Sequence, residues 1–326
     1  MKKGIRYNTV VLLAFVFQIA VAQKPAGANG LWTIDISRDD KYIATGGDDS
    51  LLRIFTADLT IYKSVRTGNK GMIRAVSWNP TENVLAVASR NDIWIFNPET
   101  EAEMQLQGKH GGSRTIAWNY NGELLATAGG GGIIWIWDRH GNLKRQIQKI
   151  SDNGTRDSKD FLGLDWHPSR NILVTVGDEI RIYDTTGKQL NNFRHREKQA
   201  GILTVKWHPS GEFFMTGDYG HADEGIPTLL QFWKMDGKLI REWNGSKKEL
   251  RNIRWNKQGT VLATGSDALR LWTKNGELLY TGRMDDNTVL WGVDWKSDSN
   301  EIVTVNFQNG KIQTWNNKAE LLKTHY

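Results

Sequence analysis

Covalent or metal chemistry in this chain would have to come from a small set of polar side chains. Only one group of them lies close together in sequence. His221, Asp223 and Glu224 offer an imidazole and two carboxylates, the ligand types that hold a divalent cation. Such ions need three or four ligands held rigidly. Here the trio sits between Gly220 and Gly225, so no metal is expected and the three remain weak candidates. The other histidines are scattered. His167 and His208 fall in Trp-His-Pro-Ser turns, His140 in another turn, His110 and His195 in basic links, and His325 beside the C-terminus. Asp48, Asp178, Asp218 and Asp267 recur at one point of a repeat, which suits turn formation better than catalysis. No GxSxG, HExxH or phosphate-loop pattern is present. AGGGG over 128–132 joins two strands without a following lysine and reads as a turn. With no cysteine in the sequence, disulfides, thiolate metal sites and cysteine nucleophiles are excluded. No cofactor and no catalytic residue are expected.

The groups left to do work are tryptophans and arginines, and their meaning depends on a repeat. The stretch Trp118–Asp138, WNYNGELLATAGGGGIIWIWD, holds an aromatic anchor, an Asn-Gly turn, an apolar strand, a glycine turn and a strand ending in Trp-Asp. Copies are anchored on Ile36, Trp78, Trp118, Trp166, Trp207, Trp255 and Trp295, spaced 42, 40, 48, 41, 48 and 40 residues apart. Eight residues after each anchor stands Ala44, Ala86, Ala126, Val174, Met215, Ala263 or Val303. A third strand then closes on Phe55, Phe96, Trp137, Tyr183, Trp233, Trp272 or Trp315. Each copy predicts four short strands. The first alternates with period two, the second is apolar throughout as a strand covered on both faces must be, and the fourth is the most polar.

These residues resemble the WD-repeat family of β-propellers, whose period is about 40–45 residues, over 31–326. The copies are degenerate, with a literal Trp-Asp pair ending the third strand only at Trp137-Asp138. The resemblance implies an all-β fold, a seven-bladed β-propeller of four-stranded antiparallel blades round a central channel. The chain opens on a first strand (31–36) and closes on a fourth (321–326), so each blade is expected to be built from consecutive sequence.

In that architecture the links into each blade and the turns between strands two and three share one face, the top. The two long spacings place extra residues there, at 151–160 and 218–228. These are either binding loops or tolerated insertions, since loop variation has both causes. The residue four before each anchor reads Trp32, Arg74, Arg114, Leu162, Leu203, Arg251 and Trp291. It should crown the innermost strand. Trp32, Arg74, Arg114, Arg251 and Trp291 are therefore the candidate partner-binding residues, because tryptophan and arginine dominate interface hot spots. Links nearby add Lys70, Lys109, His110, Arg194, Arg196, Lys198, Lys247 and Lys248. The alternative is blade packing for the tryptophans and ion pairing for the arginines. Of the remaining tryptophans, Trp243 is the other one outside the repeat's packing positions.

Residues 1–22 read as a secretory signal peptide: Lys2, Lys3 and Arg6, an apolar run from Val10 to Val21, and Ala20-Val21-Ala22 ahead of a cut before Gln23. Residues 23–30 form a short linker. The apolar run is too short to cross about 30 Å of hydrocarbon, so no membrane span is expected after cleavage. The formal charge is +6, and removing three cations leaves a weak basic excess that does not argue for nucleic acid. The leading expectation is a monomeric, secreted or periplasmic, non-catalytic scaffold that binds a protein or peptide, an acidic one for preference, on the top face. A secreted propeller enzyme (hydrolase or lyase) with a site at the channel mouth and a binder of carbohydrate or envelope polymer are the alternatives. Deleting residues 321–326 should bare the third strand of the last blade as an unpaired edge. Light scattering should then report aggregation that the full chain does not show.

Overall fold

A computed structural model describes residues 29–106, 112–196, 201–284 and 288–325. The expected signal peptide, most of the linker, and Lys109, His110 and Lys198 lie outside the described residues. Seven four-stranded antiparallel sheets follow one another, each pairing its strands in chain order. Their first strands are Leu31–Ile36, Ile73–Trp78, Thr115–Trp118, Gly163–Trp166, Ile202–Trp207, Asn252–Trp255 and Leu290–Trp295. Every one ends on its expected anchor. Third strands close on their aromatic or one residue beyond it, as in Leu51–Thr56 and Ile133–Asp138.

Burial follows the sequence pattern. Ala44, Ala86, Ala126, Val174, Met215, Ala263 and Val303 all have 0% exposure, because strand two lies between its neighbours in the sheet and under both adjoining blades. Fourth strands such as Ile61–Arg66 and Leu278–Gly282 are largely exposed. Seven hydrophobic clusters fall one to each boundary between blades. The core is thus a ring of seven joints. Within four blades the third-strand indole adds a buried bond: Trp137, Trp233, Trp272 and Trp315 donate Nε1 to Thr127, Thr216, Thr264 and Thr304.

First strands of neighbouring blades stand side by side but do not form a sheet. Their inner backbone groups must therefore find partners elsewhere. Anchor indoles supply some of them. Trp78, Trp118, Trp166 and Trp295 donate Nε1 to the carbonyls of Asp35, Ser77, Ala117 and Arg254, each in the preceding blade, at 3.0–3.2 Å. Aspartates standing before an anchor supply others: Asp35 accepts from Trp78 N at 2.6 Å, Asp165 from Trp207 N at 2.8 Å and Asp294 from Ile36 N at 2.8 Å. On the far side, Asn79, His167 and His208 reach the carbonyls of Gly122, Gly211 and Gly259 in the next blade at 2.8–3.1 Å. Those glycines hold φ of 68–73°. A Cβ at Gly211 would lie 2.5 Å from the His167 ring, so only glycine serves both turn and joint. The Trp-His-Pro-Ser histidines are joints as well as turn residues.

The joint between the last blade and the first lacks an anchor indole because Ile36 stands there. Ionic bonds replace it. Arg254 from blade six reaches Asp35 of blade one at 3.3 Å and Asp294 of blade seven at 3.4 Å. Asp40 accepts both Ser297 N, at 2.9 Å, and Ser297 Oγ. A similar bond lies at the joint of blades four and five, where Lys206 holds Asp165 at 2.6 Å. Burial pushes the Asp35 carboxyl up to about 7, and the charge of Asp294 adds to this while Arg254 opposes it. Asp294 is raised as well, again chiefly by burial. A carboxyl raised on folding binds its proton more tightly in the folded state, so its contribution is largest below about pH 4 and is lost as pH climbs to about 7. Asp35→Asn should therefore gain stability relative to the native protein between about pH 4.5 and about pH 7.5. Urea melts of both proteins at the two pH values measure that gap, and an unchanged gap would contradict the assignment.

Candidate functional site

The seven crown positions owe their placement to a backbone irregularity. In blades one, two, five and seven the pairing of strands one and two skips a residue: Leu31 pairs with Gly47 and Thr33 with Gly46, and likewise round Arg74, Leu203 and Trp291. The skipped residues are Trp32, Arg74, Leu203 and Trp291. A bulge leaves its extra residue out of the ladder and redirects its side chain. In the other three blades Arg114, Leu162 and Arg251 stand one residue ahead of their strands. The structure thus brings all seven positions to the same end of the ring, at or just ahead of the point where the regular ladder begins, although Arg114 N and Leu162 N still donate to Ala128 O and Val176 O at 3.0 and 2.8 Å.

Blades six, seven and one form an aromatic sector there. Trp291 stacks on Phe307 with centroids 3.5 Å apart and planes 10° from parallel. The Arg251 guanidinium carbon lies 4.0 Å from the Trp291 ring centroid, and Trp32 meets that ring edge-on at 4.8 Å and 87°. Trp32 Nε1 donates to Asp48 Oδ1 at 2.8 Å. Arg251 Nε sits 3.5 Å from Glu249 Oε1. Burial pulls the Arg251 pKa below the usual guanidinium value, with Glu249 working in the opposite direction. Cation–π and stacking contacts of this kind are worth about 0.5–2 kcal/mol each.

That geometry corrects one expectation. Trp291 is only 3% exposed, in a buried cluster with Val289 and Phe307, so its ring is packing rather than free contact area. Trp243 is not free either: it packs 4.9 Å from Phe232 and 5.8 Å from Trp272. Trp32 and Arg251 are half-buried and form the accessible part of the sector.

Blades two and three form a basic sector. Arg114 Nε lies 3.4 Å from Asp160 Oδ2, with both side chains more than a third exposed. Arg74 is half-buried, and Arg114 and Arg90 are the cations whose charges act on it. Burial, then repulsion from those two arginines, lowers its pKa. Leu162 and Leu203 complete the ring at blades four and five, both half-buried.

Several link cations named from the sequence are already engaged. Lys70 pairs with Glu103 and stands 4.3 Å from the Trp94 centroid, and Arg196 pairs with the buried Asp218. The recurrent aspartates prove to be fasteners between turn and link. Asp178 binds the fully buried Lys149, and Asp267 accepts from Lys247 N at 3.2 Å while two guanidinium nitrogens of Arg270 hold it at 2.8 Å. Lys149 also lies 3.3 Å from Asp157, which pins the 151–160 segment down. A lysine ending a polar strand gave no sequence signal of this role. Residues 218–228 are likewise ordered, with Ile226 N bonded to His221 O at 2.9 Å round a 3-10 turn, Ala222–Glu224. Asp223 and Glu224 are exposed. Among the described residues no three His, Cys, Asp or Glu side chains come together as a metal site requires, so His221, Asp223 and Glu224 make no ligand set.

Seven consecutive four-stranded blades, with aromatic anchors and one channel mouth freed from pairing duty, define a seven-bladed β-propeller of the WD-repeat type. Sequence comparison agrees: a family model described as eukaryotic translation initiation factor eIF2A matches residues 24–182. The chain is also similar to the intraflagellar transport protein 122 homolog of Mus musculus, 25% identical over 57% of this chain and 16% of that protein. The serine-threonine kinase receptor-associated protein of Gallus gallus is 23% identical over 71% of this chain and 62% of its own length. Cell division cycle 20.6, cofactor of APC complex, of Arabidopsis thaliana is 23% identical over 75% of this chain and 58% of its own. The chain spans less than two thirds of each. Among the described residues no helix is long and apolar enough to cross a membrane.

The two crown tryptophans should differ in kind. Trp291→Ala removes a buried ring and should cost about 3–5 kcal/mol, whereas Trp32→Ala, at a half-buried position, should cost less than half as much. Equilibrium urea denaturation of the two variants checks the ranking.

Proposed function

We propose that this propeller is a non-catalytic scaffold that holds a protein or peptide at the crowned mouth of its channel, outside the cytoplasm. One observation carries the reading. Repeat positions with a structural task keep one chemistry all the way round: two residues before the anchors stand Ile34, Val76, Ile116, Leu164, Val205, Ile253 and Val293, all aliphatic and all buried. The crown position, equally repeated, varies through tryptophan, arginine and leucine. A position released from the ladder and left chemically uneven is where a ring of copies can recognise something that is not a ring. Two of the similar proteins bear names that describe association, one with a serine-threonine kinase receptor and one as a cofactor of the APC complex, which supports a binding role. The leader-like residues 1–22 motivate the location.

The test uses the native chain and a variant carrying Trp32→Ala, Arg74→Glu and Arg114→Glu, with Trp291 left intact because it is packing. Both are immobilised after circular dichroism shows equal folding, and each is exposed to the extracytoplasmic fraction of its source. A partner held by the native chain and reduced at least tenfold on the variant supports the reading. Equal recovery on both would overturn the placement at the crown. Secretion is checked separately, by N-terminal sequencing of the exported protein for a start at Gln23.

A further inference from the structure

The crown contains one charge that the fold does not satisfy. Among the described residues, Arg74 is the only arginine that is neither exposed nor engaged in a hydrogen bond or ion pair. Every other arginine that is buried or half-buried has a carboxylate partner, including Arg53 on Asp49, Arg181 on Glu179, Arg254 on Asp35 and Arg270 on Asp267, and half-buried Arg114 has Asp160. A guanidinium taken half out of water without a counter-charge is costly, and here two like charges compound the cost. Arg90 carries no side-chain bond and stands exposed in the turn between strands two and three of blade two. Backbone bonds bring the three together: Arg74 is the residue skipped beside Ser89, Arg90 N donates to Met72 O at 2.9 Å, and Ser113 N, next to Arg114, donates to Ser89 O at 3.2 Å. Asp160 is the one carboxylate whose charge acts on Arg74, and it is already held by Arg114.

We propose that the sector of Arg74, Arg90 and Arg114 is a seat for the carboxylates of an acidic protein segment, with Arg74 as its central donor. The inference rests on the scaffold reading above and names the chemistry of its partner. A side-chain carboxylate on Arg74 accepts two parallel N–H bonds, the geometry in which arginine binds carboxylate most strongly. A second acid along the segment competes with Asp160 for Arg114. Trp32, half-buried in the next blade round the mouth, covers the apolar part of the same segment. The charge is kept unpaired in the free protein so that the partner's acid has an empty place to enter. Residues that serve a ligand in this way cost the free fold stability.

A fluorescent octaglutamate peptide is the probe, titrated at low and at moderate salt by anisotropy. The native chain should bind it saturably and lose affinity as salt rises. Arg74→Met should weaken binding at least tenfold, while Arg145→Ala, which removes an exposed and unpaired arginine on an outer strand of blade three, should leave it within twofold. Without peptide, Arg74→Met should melt at or above the native Tm. With peptide, only the native Tm should rise. Equal binding by Arg74→Met, or no saturable binding by the native chain, overturns the carboxylate seat. So does a fall in Tm for the peptide-free Arg74→Met protein, which would show Arg74 to be structural. Equal competition by inorganic phosphate or by polyuridylate at matched charge would also overturn it, in favour of a general anion site. The scaffold reading fails separately, on the capture experiment with the crown variant, so loss of one does not decide the other.

Discussion

Everything in this molecule depends on how an inner strand with no sheet partner on one side satisfies its backbone. A strand edge offers unpaired amides and carbonyls, and a ring of seven sheets presents seven such edges round one axis. The solution is borrowed from the neighbouring blade. An indole reaches back to a carbonyl, a carboxylate reaches forward to an amide, and apolar clusters fill the wedge between them. Each bond is worth only about 1 kcal/mol. Their effect is to fix the angle between blades, and seven equal angles close the circle.

Once the circle closes, the crown positions are left over. They lie where the ladder of strands one and two begins, and, Trp291 apart, they are not held in the core. The division of labour inside the crown follows from burial. Trp291 and Phe307 stiffen the mouth from below, Arg251 lies across them, and Trp32 reaches the surface on a bond to Asp48. The basic sector beside it is held less completely. Arg114 has its acid and Arg74 has none. Rigidity on one side and unmet charge on the other give the mouth a polarity that a uniform ring of repeats would lack.

Most of the fold was legible in the sequence because the repeat reports the same physical demand seven times. An anchor that recurs as tryptophan in six copies and an aliphatic that is buried in all seven leave little freedom in strand placement. The exchange of indole for ionic bonds at Ile36 was not legible. Asp35 lies most of the chain away from Arg254 and Asp294, and each reads locally as an ordinary polar strand residue. The burial of Lys149 was hidden for the same reason, since its acids come from a following link and the next blade. At the crown the spacing alone was enough to expect seven residues at one end of the innermost strands. It could not separate Trp32 from Trp291, because exposure there depends on Phe307, a residue sixteen positions further along the same blade. It also could not tell a paired arginine from an unpaired one.

The joint at Asp294 and Ile36 differs from the other six in connectivity. Consecutive blades elsewhere are joined by the chain itself, so a broken side-chain bond leaves them tethered and free to re-form it. Among the described residues blades seven and one are held by noncovalent contacts alone. The molecule is therefore a split ring, and tension applied ahead of Leu31 and beyond His325 falls first on that split. The six chain-linked joints load only after it has opened, one after another. Stiffness under traction is set at that one joint, by its own apolar cluster together with a handful of carboxylates, a guanidinium and a serine, whatever the depth of the hydrophobic packing elsewhere.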